Sequence, residues 1–257
     1  MTPHPTPRHQ TSGARRRTHH RIPLYVALAA GVLLITACSP WRLSTAKALA
    51  SEARAYTQNP DQPSKRLLVV GDSTAVGTGA DAPQDSLPGR IGQQHPQWRI
   101  DNLAANGARL VDVVQQLERA PGGYDMVLVL AGGNDVIRFT AQDTLRDQLQ
   151  QAVVLAKRKG QTVVLMPCGD VGHAPFFWPP VSWIMSRRSA NLHAVARAVA
   201  TEHQVRYVSL LKPREQDPFV IHSKELHSAD GLHPSSAGYR EWHRELVAQG
   251  GLAPTAP

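Results

Sequence analysis

The chain has 257 residues, 42% of them hydrophobic, and a formal net charge of +8. That is long enough for one domain with a substantial core plus a leader. The charge raises nucleic acid as a partner, but Arg8, Arg15, Arg16, Arg17 and Arg21 all fall in residues 1–37, where there is no acidic residue, leaving only +3 for the remainder. The basicity belongs to the leader, no recognition motif accompanies it, and nucleic acid is excluded as a partner.

Residues 1–21 are polar, Pro-containing and basic, and are expected to be disordered. An apolar run from Ile22 to Ala37 follows, broken by Pro23 and Gly31. As a helix it spans only about 24 Å, short of the roughly 30 Å hydrocarbon core of a bilayer. A basic n-region before a short apolar segment reads as an export signal over residues 1–37. The run ends in Leu34-Ile35-Thr36-Ala37-Cys38, which resembles the lipobox of bacterial lipoproteins. The resemblance implies cleavage before Cys38, lipidation of Cys38, and a membrane-anchored lipoprotein of the cell envelope facing the periplasm or exterior. A short uncleaved anchor with an incidental cysteine is the other reading, and it too places the domain outside the cytoplasm. The second cysteine, Cys168, sits among Met166, Pro167 and Gly169, where a small buried thiol is expected and no disulfide.

Residues 38–64 read as a tether with one short helix before the Pro-rich stop Asn59-Pro60-Asp61-Gln62-Pro63. The domain is expected over 65–250, with 251–257 a disordered tail. Its first strand is Leu67-Leu68-Val69-Val70, four apolar residues buried on both faces as in a parallel sheet, broken by Gly71. Ser86 to Gln94 predicts a helix with Pro88 in its first turn. Trp98 to Ala104 predicts a second strand, and Ala108 to Ala120 an amphipathic helix with Leu110, Val113, Val114 and Leu117 on one side. Tyr124 to Ala131 is a third strand, and Thr140 to Lys159 a long helix closed by Gly160. Gln161 to Met166, Ser186 to His203, Val205 to Leu210 and Ser235 to Gln249 continue as strand, helix, strand and helix. Alternation at this spacing predicts a five-stranded parallel sheet with helices on both faces, an α/β/α sandwich.

Ahead of the fourth of these helices, Phe176, Phe177, Trp178 and Trp183 put four of fourteen aromatic residues into eight positions, beside Pro179 and Pro180. The segment is either a loop packed over the core or a candidate substrate loop, an apolar wall for an acyl chain or a membrane surface.

Polar clusters stand where the strands end. Gly71-Asp72-Ser73 follows the first, Asn102 to Ala108 (with Asn106 and Gly107) the second, and Gly132-Gly133-Asn134-Asp135 the third. Asp230-Gly231-Leu232-His233-Pro234 precedes the last helix. Parallel strands bring their carboxyl ends to one edge, so these clusters should converge. A serine hydroxyl becomes nucleophilic when an imidazole takes its proton, and a carboxylate must hold that imidazole in the right tautomer. Ser73, His233 and Asp230 fit those roles. The backbone N–H groups of Ser73 and Gly107 and the side-chain amide of Asn134 suit an oxyanion hole.

With these blocks in order, residues 66–250 closely resemble the SGNH/GDSL hydrolases, bacterial lipases and esterases with a flavodoxin-like fold. The resemblance rests on Gly71-Asp72-Ser73, on Gly132-x-Asn134-Asp135 and on Asp230-x-x-His233-Pro234. It implies Ser73 as nucleophile, His233 as general base, Asp230 as its orienting acid, and Gly107 and Asn134 as oxyanion donors beside the Ser73 amide. Thr74 departs from the usual leucine after the serine, a variant seen in some carbohydrate acetylesterase-like members. Asp72 and Asp135 are read as loop supports, Asn106 as holding its own turn, and His222 and His227 as surface histidines without zinc-ligand spacing. Gly77-x-Gly79 lacks the rest of a nucleotide-binding fingerprint, and no cofactor or metal is expected.

The expected function is an exported serine esterase cleaving small-molecule, lipid or glycan carboxylic esters or thioesters. Removal or transfer of acetyl groups on an envelope polysaccharide is a second reading, and a non-catalytic binding module with the same fold a third.

Overall fold

The computed structural model describes Met1 and residues 41–252. Contacts divide the chain between Trp41 and Arg42, and the fold is that of the second unit. The export signal, the lipidation at Cys38 and the final five residues lie outside the described residues.

Five strands, β1 (Lys65–Gly71), β2 (Trp98–Asn102), β3 (Tyr124–Leu130), β4 (Gly160–Leu165) and β5 (Arg206–Tyr207), form one all-parallel sheet in the order β2-β1-β3-β4-β5. Residues 42–52 are helical (α1). The further helices are α2 (Ser73–Val76), α3 (Leu87–Gln94), α4 (Leu110–Arg119), α5 (Gly133–Ile137), α6 (Gln142–Lys159), α7 (Val181–Glu202), α8 (Pro218–Ile221), α9 (Ser223–Leu226) and α10 (Ser236–Ala248). Right-handed crossovers put connections running toward β2 and those running toward β5 on opposite faces. Accordingly α3 packs with α10, while α4, α6 and α7 pack in succession. Both faces of the central strands are therefore covered, and Leu67–Val70 and Val127–Leu130 are fully buried. This is the expected three-layer α/β architecture.

Local chemistry explains most of the helix boundaries. Ser86 caps α3 by accepting from the Gly89 N–H at 3.1 Å, with Pro88 in the first turn, and Ser235 caps α10 by accepting from Gly238 at 3.2 Å. Leu110, Val113 and Leu117 form the buried stripe of α4.

Five expectations need correction. Gly160 closes α6 as expected, but in extended backbone at φ −148°, and β4 opens on it, one residue before the expected start. A Cβ there would lie 2.9 Å from Val127 Cγ2, so the glycine serves the close approach to β3. Helix α7 begins at Val181, five residues before the expected start, because Pro179 and Pro180 precede the helix rather than interrupt it. β5 shrinks to two residues, pairing only Val164 with Arg206 and Leu165 with Tyr207.

The tether is the fourth. Gln58 bridges antiparallel to Ile100 on the outer edge of β2, with backbone bonds of 3.0 and 2.8 Å, and its side-chain amide donates to Trp98 O at 2.7 Å. The segment covers an edge strand that would otherwise be open to pairing. At the other end, Gly251 and Leu252 are buried rather than part of a free tail.

Candidate active site

The strand order reverses between β1 and β3, and in such sheets the crevice outside the carboxyl ends at that point is where ligands bind. Gly71 ends β1 opposite Leu130 of β3. A Cβ on Gly71 would fall 1.9 Å from the Leu130 carbonyl oxygen, so only glycine lets the two strand ends approach this closely. The chain just after β2 still reaches this strand end, Ala105 N donating to Gly71 O at 3.2 Å, and the side chain of buried Gln116 on α4 completes it. Its Nε2 donates to Gly71 O at 2.9 Å and its Oε1 accepts from Gly71 N at 2.8 Å. Sequence reasoning missed Gln116; a lone amide on the buried stripe of an amphipathic helix was the available signal.

The next two residues turn the chain into α2. Asp72 is its N-cap, with Oδ1 accepting from the Thr74 N–H at 2.9 Å and from the Thr74 hydroxyl at 2.7 Å. Thr74 thus supplies a hydroxyl to the turn that a leucine could not. Burial pushes the Asp72 carboxyl up, and the Thr74 bonds and the nearby His233 oppose that. Asp72 therefore supports the turn, as expected. Asp135 likewise accepts from Leu110 N and Thr140 Oγ1, both at 3.0 Å, tying α4 to the loop after α5.

Ser73 opens α2. Its Oγ lies 2.9 Å from His233 Nε2, and His233 Nδ1 lies 2.6 Å from Asp230 Oδ2. The other Asp230 oxygen accepts from Ser228 Oγ at 2.8 Å, Leu232 N at 2.8 Å and His233 N at 3.0 Å. Burial by itself would raise this carboxyl, but the bonds from His233, its charge and the two backbone amides outweigh burial and bring it down to about 2. All three residues are buried. Ser73 and His233 are 160 positions apart in sequence, and the fold alone makes them neighbours.

Asn134 reaches the same place from the start of α5. Its Nδ2 donates to Ala108 O at 3.1 Å, which orients the amide and leaves a second N–H on the same nitrogen. Gly107, one residue before Ala108, has φ +75°. It is half-buried and does not line the pocket around Ser73, whereas Asn134 does. Asn106 does more than hold its own turn: it accepts from the Thr78 hydroxyl at 2.6 Å and donates to Ala50 O at 2.7 Å, joining the glycine-rich loop to α1.

The pocket beside Ser73 has a volume of about 100 Å³. Its apolar wall is Ile137, Val171, Leu210, Phe219 and Trp242. None of Phe176, Phe177, Trp178 and Trp183 lines it, so the wall for an acyl group comes from other elements than the expected loop. Phe177 and Trp183 instead border a separate groove with His173 and Arg214. Cys168, Asp170, Asp217 and His227 complete the pocket. Cys168 is buried, and burial together with nearby carboxylates pushes its thiol up, away from the reactive thiolate.

The two histidines expected at the surface part company. His222 is exposed, but His227 is a pocket residue, its ring edge-on to Phe219 at 5.2 Å and its Nδ1 3.0 Å from Ser223 O. Burial lowers the pKa of His227. Behind the pocket, His173 Nδ1 lies 2.6 Å from Asp217 Oδ2, and its Nε2 lies 3.5 Å from Asp170 Oδ2. Sequence reading missed this contact because Asp170 and His173 share one loop and Asp217 sits in another, without a shared motif. Among the described residues no group of three or more His, Cys, Asp or Glu side chains is placed to hold a metal ion.

Fold and geometry together define a class: an α/β protein carrying a hydroxyl–imidazole–carboxylate chain at the switch point of a parallel sheet. Residues 69–241 match the GDSL-like Lipase/Acylhydrolase family, and the chain belongs to it. A GDSL-like esterase of Mycobacterium tuberculosis is 25% identical over 185 residues, which cover 67% of this chain. The aligned part spans 57% of that relative's length. Among solved structures, a lipase/acylhydrolase from Enterococcus faecalis is similar with a TM-score of 0.54 and 24% identity, covering 75% of this chain and all of that one. Axe2, an acetylxylan esterase from Geobacillus stearothermophilus, is similar with a TM-score of 0.56 and 21% identity, covering 75% of this chain and 96% of its own.

Proposed function

We propose that this chain is a serine esterase that cleaves carboxylic esters or thioesters with a short acyl group through a covalent acyl-enzyme. One observation carries the reading: the unbroken chain from Ser73 Oγ to His233 at 2.9 Å and on to Asp230 at 2.6 Å, opening on a pocket. In the first step the Ser73 oxygen attacks the ester carbonyl while His233 Nε2 takes its proton, and Asp230 stabilises the imidazolium. The tetrahedral oxyanion meets the second Asn134 N–H and the backbone amides of Ser73 and Gly107. His233 then returns the proton to the leaving alcohol or thiol, and water releases the acid by the same steps in reverse.

The pocket favours short acyl groups. About 100 Å³ is small beside the roughly 300–1,000 Å³ of pockets that enclose drug-sized ligands. The same observation supports a narrower reading, removal or transfer of acetyl on a glycan. The leader supports placement in the cell envelope, with lipidation at Cys38 as the anchor. A fluorophosphonate probe tests the mechanism: it should label the wild-type protein and fail to label Ser73→Ala. Labelling of the variant at wild-type level would remove Ser73 from the role. An ester series graded from acetyl to palmitoyl tests the substrate, with activity expected to fall steeply beyond a few carbons.

A further inference from the structure

The segment Phe176–Met185 is not part of the pocket, yet it is exposed in a way that a packed loop is not. Trp178 is 64% and Trp183 69% accessible, and Val181 and Ile184 beside them are also exposed. Single exposed apolar residues are ordinary, but four within seven positions, two of them tryptophan, form a patch. Trp178 lies three residues before α7, and Val181, Trp183 and Ile184 occupy its first turn, while Ser182, Met185 and Ser189 are buried.

The segment that carries the patch has formal charges of one sign. No Asp or Glu occurs between Asp170 and Glu202, while Arg187, Arg188 and Arg197 do. Arg187 is exposed one helical turn beyond Trp183. Amphipathic tryptophans with flanking arginines are the side chains that settle at a lipid headgroup layer, and a segment without carboxylates of its own adds no repulsion from anionic lipid.

The chain itself leads to the same place. The guanidinium of Arg42 donates to the carbonyl of Pro175, the residue before Phe176. Cys38 is four residues upstream of Arg42, so the chain length between them allows at most about 14 Å from one Cα to the other. We propose that Trp178, Val181, Trp183 and Ile184 form a docking surface for an anionic phospholipid bilayer. In part this rests on the lipid-anchor reading of Cys38, since an anchor attached there brings a bilayer to the patch. Docking also fixes the active site relative to the membrane. Phe176 N donates to Gly231 O at 2.8 Å, and Gly231 lies between Asp230 and His233.

The test uses the full chain with its leader in vesicles of phosphatidylcholine and phosphatidylglycerol with brominated acyl chains, which quench tryptophans that enter the headgroup and upper acyl region. A Trp41→Phe background removes the tryptophan nearest the leader. In that background emission should be strongly quenched, and adding Trp178→Phe and Trp183→Phe should remove most of the quenching. These surface changes should leave hydrolysis of a soluble acetyl ester unchanged, which checks the fold. Co-sedimentation of the Trp41→Phe protein with vesicles without quenching overturns the docking surface, as does failure to co-sediment at all. The mass of the chain purified from membranes reports lipidation of Cys38 separately. An unmodified Cys38 with intact quenching refutes the anchor and keeps the surface.

Discussion

Replacing Asp230 by Asn tests the proposed mechanism most sharply, because the surrounding bonds dictate how the amide must sit. Asp230 Oδ1 accepts three bonds, from Ser228 Oγ, Leu232 N and His233 N. Only the amide oxygen can take that position, so the NH₂ group of Asn must replace Oδ2, 2.6 Å from His233 Nδ1. A donor there forces Nδ1 to accept, which moves the imidazole proton to Nε2. Nε2 then donates to Ser73 Oγ where it should accept, and the base is lost with the geometry intact. The same tautomer swap in a Ser-His-Asp protease costs roughly 10⁴ in kcat, about 5 kcal/mol at about 1.4 kcal/mol per decade. The assay is hydrolysis of a p-nitrophenyl acetate substrate, with circular dichroism confirming that the variant is folded. Activity within tenfold of wild type in a folded Asp230→Asn protein would refute the role given to the carboxylate.

The same carboxylate makes stability depend on pH. Its folded pKa is depressed from 3.8 to about 2, so the stabilisation is fully present above pH 3.8 and is lost as pH falls toward about 2. It is worth roughly 2 kcal/mol, and acid titration followed by circular dichroism should show that component in wild type and not in Asp230→Asn. Asn134→Ala should lower kcat by about 10²–10³ with little change in Tm, if its amide faces the oxyanion. Gln116→Leu strands the Gly71 N–H in the interior, while Gly71 O keeps its bond from Ala105 N, and should cost about 1–3 kcal/mol in urea denaturation. A loss below about 1 kcal/mol would mean that the strand end finds other partners, such as water.

What was readable from the chain was what neighbouring residues decide. A run such as Leu67–Val70 is apolar wherever it lies, so β1 and β3 show themselves as buried strands. Ser86 and Ser235 cap helices through their own next three residues. The short blocks at Ser73, Asn134, Asp230 and His233 could be matched to strand ends because a parallel sheet gathers those ends at one edge. What was lost depended on partners far away in sequence. Gln58 has nothing about it that names Ile100, and the length of β5 depends on how far β4 continues beside it. Gln116 looks like a flaw in an apolar stripe until the Gly71 N–H is seen to depend on it.

The aromatic segment shows the same division. Its sequence declares a large apolar surface, but whether that surface faces substrate, core or solvent is set by where Gly231 and Pro175 hold it. The acyl wall instead came from Phe219 and Trp242, on a short helix and on the last one. The sequence by itself determined the alternation of strands and helices and the chemical identity of the site's residues, because periodicity, capping and residue type are local properties. Tertiary structure decided the 2.9 Å meeting of Ser73 with His233, the walls and volume of the pocket, and the packing of the segment before β1. Those are contacts between distant residues, and only the folded sheet with its two covering layers brings them within reach.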